Sequence, residues 1–180
     1  MPTPFPHQLS GAAFLAARHG ALLADEQRVG KTGAAILACD FVFARTVLVI
    51  TTTSGRPNWA REFREWGYPR RIHVSYHTSG VLPADSEVVI VGWSSVAQST
   101  LLVQLRARQW DVLILDEAHY AKNSAAQRSR AVYDALVPAA RRTWALTGTP
   151  IPTPPMTFIP SWRPSLRSAC ARTVRTAGPT

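Results

Sequence analysis

Two cysteines in 180 residues, Cys39 and Cys170, are too few for a disulfide scaffold or a four-thiolate zinc site. No apolar run approaches the roughly 18 residues that a membrane-spanning helix needs. Residues 1–10 hold three prolines and no basic stretch leading into an apolar one, so they do not read as a secretory signal. Lysine is nearly missing: 18 of the 20 basic residues are arginine, the exceptions being Lys31 and Lys122. Acid is absent after Asp134: up to that point 14 basic side chains face 11 acidic ones, and beyond it there are six arginines and no carboxylate. The chain is therefore expected to be a soluble, cytoplasmic, basic protein with no membrane contact. Arginine pairs with phosphate and stacks on bases. It also replaces lysine in GC-rich coding sequence, so charge by itself leaves nucleic-acid binding open.

What is present is a series of short apolar runs: Ala21–Ala24, Val47–Ile50, Val88–Val91, Val112–Leu115 and Trp144–Leu146. Continuous rather than alternating runs suit strands of a parallel sheet covered on both faces. Helical patterns lie between them, at Gly33–Phe43, Pro57–Trp66, Ser95–Arg108 and Ser124–Leu136. Trp59, Phe63 and Trp66 share one helix face, and Pro57 suits a first turn. Cys39 falls within a helical pattern and reads as core. The alternation predicts an α/β fold with a mostly parallel sheet and helices on both faces. Ligands in such sheets bind at the carboxyl ends of the strands. Residues 156–180, rich in proline and arginine, read as an irregular or disordered tail.

The strand ends carry the chemistry. After the first strand comes Asp25-Glu26-Gln27-Arg28-Val29-Gly30-Lys31-Thr32, leading into a helix. This has the form of a phosphate-binding loop, with backbone N–H groups and the helix dipole aimed at an anion. Lys31 would neutralise the β- and γ-phosphates, Thr32 would hold Mg²⁺, and Gly30 would let the backbone approach. Gly-Lys-Thr also fits an ordinary strand-to-helix turn, and Asp25 stands where the usual pattern has glycine. The fourth apolar run ends in Asp116-Glu117-Ala118-His119. Asp116 would orient the Mg²⁺ shell and Glu117 would activate water as general base. Together the two stretches point to nucleotide binding. Thr51-Thr52-Thr53-Ser54-Gly55-Arg56 suits contact with a phosphate backbone, or helix capping, or both. Leu146-Thr147-Gly148-Thr149-Pro150 also fits a plain turn. His7-Gln8 is read as preceding the first helix, with Gln8 solvated or reading an adenine edge. His73 and His77 lack the partners of a zinc site.

In this order the motifs resemble the first RecA-like lobe of superfamily-two helicases and translocases, and within them the Swi/Snf-type branch, as a bacterial or phage-like DEAH-box member. The resemblance spans about residues 5–155 and includes Asn58-Trp59 and Glu62-Phe63. It implies a RecA-like P-loop NTPase lobe that uses ATP and Mg²⁺ and moves on duplex DNA. By the resemblance, Gln8 recognises adenine, while Gly30, Lys31 and Thr32 hold phosphates and metal. Asp25 and Glu26 match the acidic pair that opens the family's loop. Arg28 replaces a common glycine and would either cover the phosphates or project into solvent. Asp116 and Glu117 serve metal and water. His119 couples hydrolysis to Thr147, Gly148 and Thr149, and Thr52, Thr53 and Ser54 lie near the DNA. The second RecA-like lobe, which supplies arginine fingers in this family, has no counterpart in these 180 residues. The chain is thus expected to be incomplete as a motor. It would either complete one with a separately encoded lobe or be a truncated gene fragment. A phosphotransferase would need an acceptor site, and none is evident.

Overall fold

The computed structural model describes residues 2–24, 30–76, 81–118 and 131–148. Six strands form one sheet: β1 (Gly20–Ala24), β2 (Val47–Thr51), β3 (Ile72–Val74), β4 (Val88–Gly92), β5 (Trp110–Leu115) and β6 (Ala140–Thr147). Their spatial order is β1-β6-β5-β2-β4-β3, and every neighbouring pair is parallel. All carboxyl ends therefore point to one edge.

The helices are α1 (Pro6–Ala16), α2 (Lys31–Phe41), α3 (Gly55–Trp66) and α4 (Ser99–Arg106). The pleat sends alternate strand residues to opposite faces, which builds two cores. Val47, Val49, Val88, Ile90, Val112 and Ile114 pack with α1, α2 and α3. Leu48, Ile50, Val89, Val91, Leu113 and Leu115 pack with α4 and with Val132 and Leu136 on the other face. The expected α/β architecture is thus present, with the central strands β2, β4 and β5 buried on both faces.

Besides the short edge strand β3, which none of the apolar runs predicted, two helical elements differ from the sequence expectation. His7 and Gln8 lie inside α1 rather than before it. Pro6 opens the helix, and Gln8, Gly11, Ala12 and Leu15 are its buried residues, at helical spacing. Small and polar residues on that face hide the period, yet they suit close packing: a Cβ at Gly11 would lie 3.4 Å from Ala34 Cβ on α2. The second difference lies between residues 124 and 136. The described part, Ala131–Leu136, is a π-helical turn rather than an α-helix, and just beyond it Val137 N–H reaches Val132 O at 2.9 Å. This wider turn still buries Ala131, Val132 and Leu136. Residues 124–130 of the expected helix, and the tail at 156–180, lie outside the described residues.

Polar staples fix the ends of the sheet opposite the site. Asp111 Oδ2 accepts the N–H groups of Arg45 (2.9 Å) and Thr46 (3.0 Å) and the Thr46 hydroxyl (3.2 Å), joining the starts of β2 and β5. Partial burial pushes this carboxyl up, but the hydrogen bonds from Thr46 and Arg45 outweigh it and hold it below the ordinary carboxylate value. A depressed folded pKa gives stability that is present above the unfolded value and lost as pH falls through the folded one. Asp111→Asn is expected to cost roughly 1–3 kcal/mol at neutral pH. Urea titrations repeated down to acid pH should show that difference shrinking once the wild-type carboxylate protonates. A gap that stays constant with pH would refute the assignment. Cys39 is fully buried, as expected of a core residue, and burial pushes its thiol up to about 12.

Candidate nucleotide and nucleic-acid site

At the carboxyl edge, β1 ends at Ala24, and the described chain resumes at Gly30, which has φ +77° and caps the start of α2. That left-handed conformation favours glycine. A Cβ there would also overlap Gln8 Nε2. Gln8 is buried, with 4% of its surface exposed. Its Oε1 accepts the Phe5 N–H at 2.9 Å, and its Nε2 donates to Gly30 O at 3.3 Å. The buried amide therefore braces the end of the loop from α1. Lys31 and Thr32 begin α2 and are partly exposed. The first turn of α2 holds no acidic residue, so nothing there opposes an anion at the helix N-terminus. Arg28, with Asp25 and Glu26, lies outside the described residues.

Asp116 follows β5. Its backbone N–H donates to Ile50 O at 2.8 Å, and its own carbonyl accepts the Trp93 indole N–H at 2.8 Å. Its Oδ2 takes two donors, the Thr51 hydroxyl at 2.6 Å and the Trp59 indole N–H at 2.8 Å. Among the described residues, no donor is paired with Oδ1. Glu117 has φ +49°, a conformation that costs a non-glycine residue about 1–3 kcal/mol and clusters at functional sites. One of its carboxylate oxygens is shielded from solvent. Ala118 N–H then donates to Leu146 O at 3.0 Å, pinning the segment to β6. Thr147, at the end of β6, is buried, and Gly148 is partly exposed. His119 and Thr149 lie outside the described residues.

The turn after β2 combines capping with exposure. Thr52 Oγ1 accepts the Gly55 N–H at 3.1 Å, while Thr53 and Ser54 face solvent. Arg56 is buried, although a guanidinium rarely is. It donates to Ser75 O at 2.5 Å and to Thr53 O at 3.3 Å, and it lies 4.9 Å from the centre of the Tyr76 ring. The register explains the convergence. Ala24 pairs with Thr147 and Ile50 with Leu115. Gly30, Thr51–Ser54, Asp116–Glu117 and Thr147–Gly148 therefore share one edge of the sheet. Sequence reasoning missed Thr51, Trp59 and Trp93 as supports of Asp116. Trp59 carried a signal, but as one member of an apolar stripe.

Residues 7–159 match the family model described as SNF2-related domain. Among curated proteins, the mouse DNA annealing helicase and endonuclease ZRANB3 is 34% identical over 154 residues, covering 81% of this chain and 14% of that protein. The chicken DNA repair and recombination protein RAD54B is 30% identical over 172 residues, covering 81% of this chain and 18% of that protein. The chain thus spans less than a fifth of the length of these two relatives. The solved Sulfolobus solfataricus SWI2/SNF2 ATPase core in complex with dsDNA superposes with a TM-score of 0.72 at 24% identity, covering 83% of this chain and 32% of that one. This likeness establishes the fold.

Proposed function

Because this chain belongs to the SNF2-related domain family, we propose that it is the nucleotide-binding first lobe of a DNA-dependent ATPase that couples ATP hydrolysis to movement on duplex DNA. One observation carries the reading: a glycine in the left-handed conformation at the start of α2 shares the sheet edge with a braced Asp-Glu pair.

The residues present fit the triphosphate and its metal. Gly30 makes room for the Gln8 amide, which any Cβ there would overlap. The α2 N-terminus favours an anion, and Lys31 would neutralise it. The Thr32 hydroxyl and Asp116 Oδ1 are the hard oxygen donors that Mg²⁺ prefers. When bound, Mg²⁺ would neutralise charge on the phosphate oxygens. Glu117 would take the proton of the attacking water. Gln8 keeps one N–H and one lone pair beyond its two bonds, the couple that an adenine edge presents. Arg28 would cover the phosphates. His119 with Thr147, Gly148 and Thr149 would link the carboxylates to the next lobe. Thr52, Thr53 and Ser54 would meet the DNA backbone. The second RecA-like lobe would come from elsewhere in a longer protein or from a separate chain. Without its arginine, turnover by these 180 residues is expected to be slow, since such an arginine is worth roughly 10³–10⁵ in rate.

Thermal unfolding tests the reading. ATP with Mg²⁺ at ~100 times its Kd should stabilise the chain by about 2.7 kcal/mol. Lys31→Ala should weaken binding roughly 10–100-fold, the worth of about 1.5–3 kcal/mol for a charged hydrogen bond, and so erase about half or more of that shift. Duplex binding followed by anisotropy should weaken steeply with salt. A wild-type chain whose melting ignores ATP and Mg²⁺ would refute the nucleotide site.

A further inference from the structure

The two donors to Asp116 Oδ2 come from residues on either side of the Thr52–Ser54 turn. Thr51 closes β2, and Trp59 lies on the second turn of α3. Between them the chain leaves the sheet, exposes Thr53 and Ser54, and re-enters structure at Gly55. The segment is tight. A Cβ at Gly55 would overlap Thr51 Oγ1, and the Gly55 N–H is held by Thr52. Trp59 is 1% exposed, with its ring 6.0 Å from Phe63, so its indole moves only with α3. A packed helix of this kind shifts as a unit rather than bending. A force on the exposed turn therefore reaches one oxygen of the metal-site carboxylate from two directions.

We infer that Trp59 is a positioning residue that couples a nucleic-acid backbone held at Thr53 and Ser54 to the orientation of the Asp116 carboxylate, and so to Mg²⁺–nucleotide affinity. This inference rests on the proposed function, because it takes the turn to be the nucleic-acid contact and Asp116 the metal contact. The hydrogen bond, not the ring, carries the coupling. Phenylalanine at 59 preserves most of the packing but loses the N–H. Coupling is reciprocal, so duplex should change nucleotide affinity by the same factor as nucleotide changes duplex affinity.

The test measures the affinity of the full chain for a non-hydrolysable ATP analogue with Mg²⁺, with and without saturating duplex DNA. The ratio of the two affinities should be about fivefold or more in the wild type, the lower end of ordinary coupling. In Trp59→Phe it should fall to within about twofold of unity, and Thr51→Val should move it in the same direction. A folded Trp59→Phe chain that keeps the wild-type ratio would overturn the coupling alone, as would a wild type that binds both ligands independently. A wild type that binds neither ligand would overturn the functional reading itself. The Trp59 indole N–H resonance of the unmutated chain supplies a readout that needs no variant. It should shift when duplex is added without nucleotide, and again when Mg²⁺–analogue is added without duplex. A Trp59 signal that ignores bound duplex would overturn the inference whether or not the variants fold.

Discussion

Glu117→Gln is expected to slow ATP turnover by roughly 10²–10⁴-fold, the usual contribution of a positioned general base, while nucleotide affinity stays within a factor of about two. The amide matches the carboxylate in shape but cannot accept the proton of the attacking water. Position 117 is held rigidly. The backbone on either side is tied to β2 and β6 through Asp116 N–H to Ile50 O and Ala118 N–H to Leu146 O. Trp93 grips the Asp116 carbonyl. Those ties maintain the left-handed φ at Glu117, and none of them involves its side chain, so glutamine should sit where glutamate does. Phosphate release should be followed with duplex present, supplying a second RecA-like lobe if the chain alone is too slow to follow. Turnover that survives the substitution would remove Glu117 from the reaction.

Arg70→Ala is expected to lower the unfolding free energy by about 3–5 kcal/mol, the cost of stranding one partner of a buried ion pair. Arg70 Nη2 lies 2.5 Å from Asp40 Oδ1, with the two side chains only 7% and 8% exposed. The same nitrogen donates to Ala44 O at 3.2 Å, and Asp40 Oδ2 accepts the Tyr68 N–H at 3.2 Å. The pair thus ties the end of α2 to the chain leaving α3. Against a total stability of about 5–15 kcal/mol for a domain, its loss should bring the chain close to unfolding at room temperature. Urea unfolding would measure it. Replacing both partners with apolar residues of similar volume should recover much of the loss, because no charge is then stranded. A cost under about 1 kcal/mol for Arg70→Ala would mean that the pair behaves like an exposed salt bridge.

The parts of this fold that were legible in the sequence are those whose side chains advertise their surroundings. β2, β4 and β5 contain unbroken aliphatic runs, Val47–Ile50, Val88–Val91 and Val112–Leu115, because those runs are buried on both faces. β3 escaped notice because it is three half-buried residues at the sheet edge, too short to show a period. α1 escaped because its buried face is glutamine, glycine, alanine and leucine, and only leucine looks like core. The strand-end motifs were legible because glycine, lysine, threonine and paired carboxylates are chemically distinctive. Their supports were not. Trp59 does belong to the apolar stripe that its spacing suggested, and a stripe cannot say where an indole N–H points. That direction depends on the distance between α3 and the end of β5, residues 57 apart in sequence.

The strand order also governs how the chain can acquire its shape during synthesis. Gly20–Ala24 is made well before its partner in the sheet, Thr143–Thr147. The middle of the sheet can assemble earlier, since β2, β4 and β5 pair with one another. At roughly 5–20 residues per second, β1 leaves the ribosome many seconds before β6, and its backbone must meanwhile go without a neighbour. Any nascent chain stopped before Thr143 would hold a β1 with no strand to pair with, a natural substrate for chaperones and proteases.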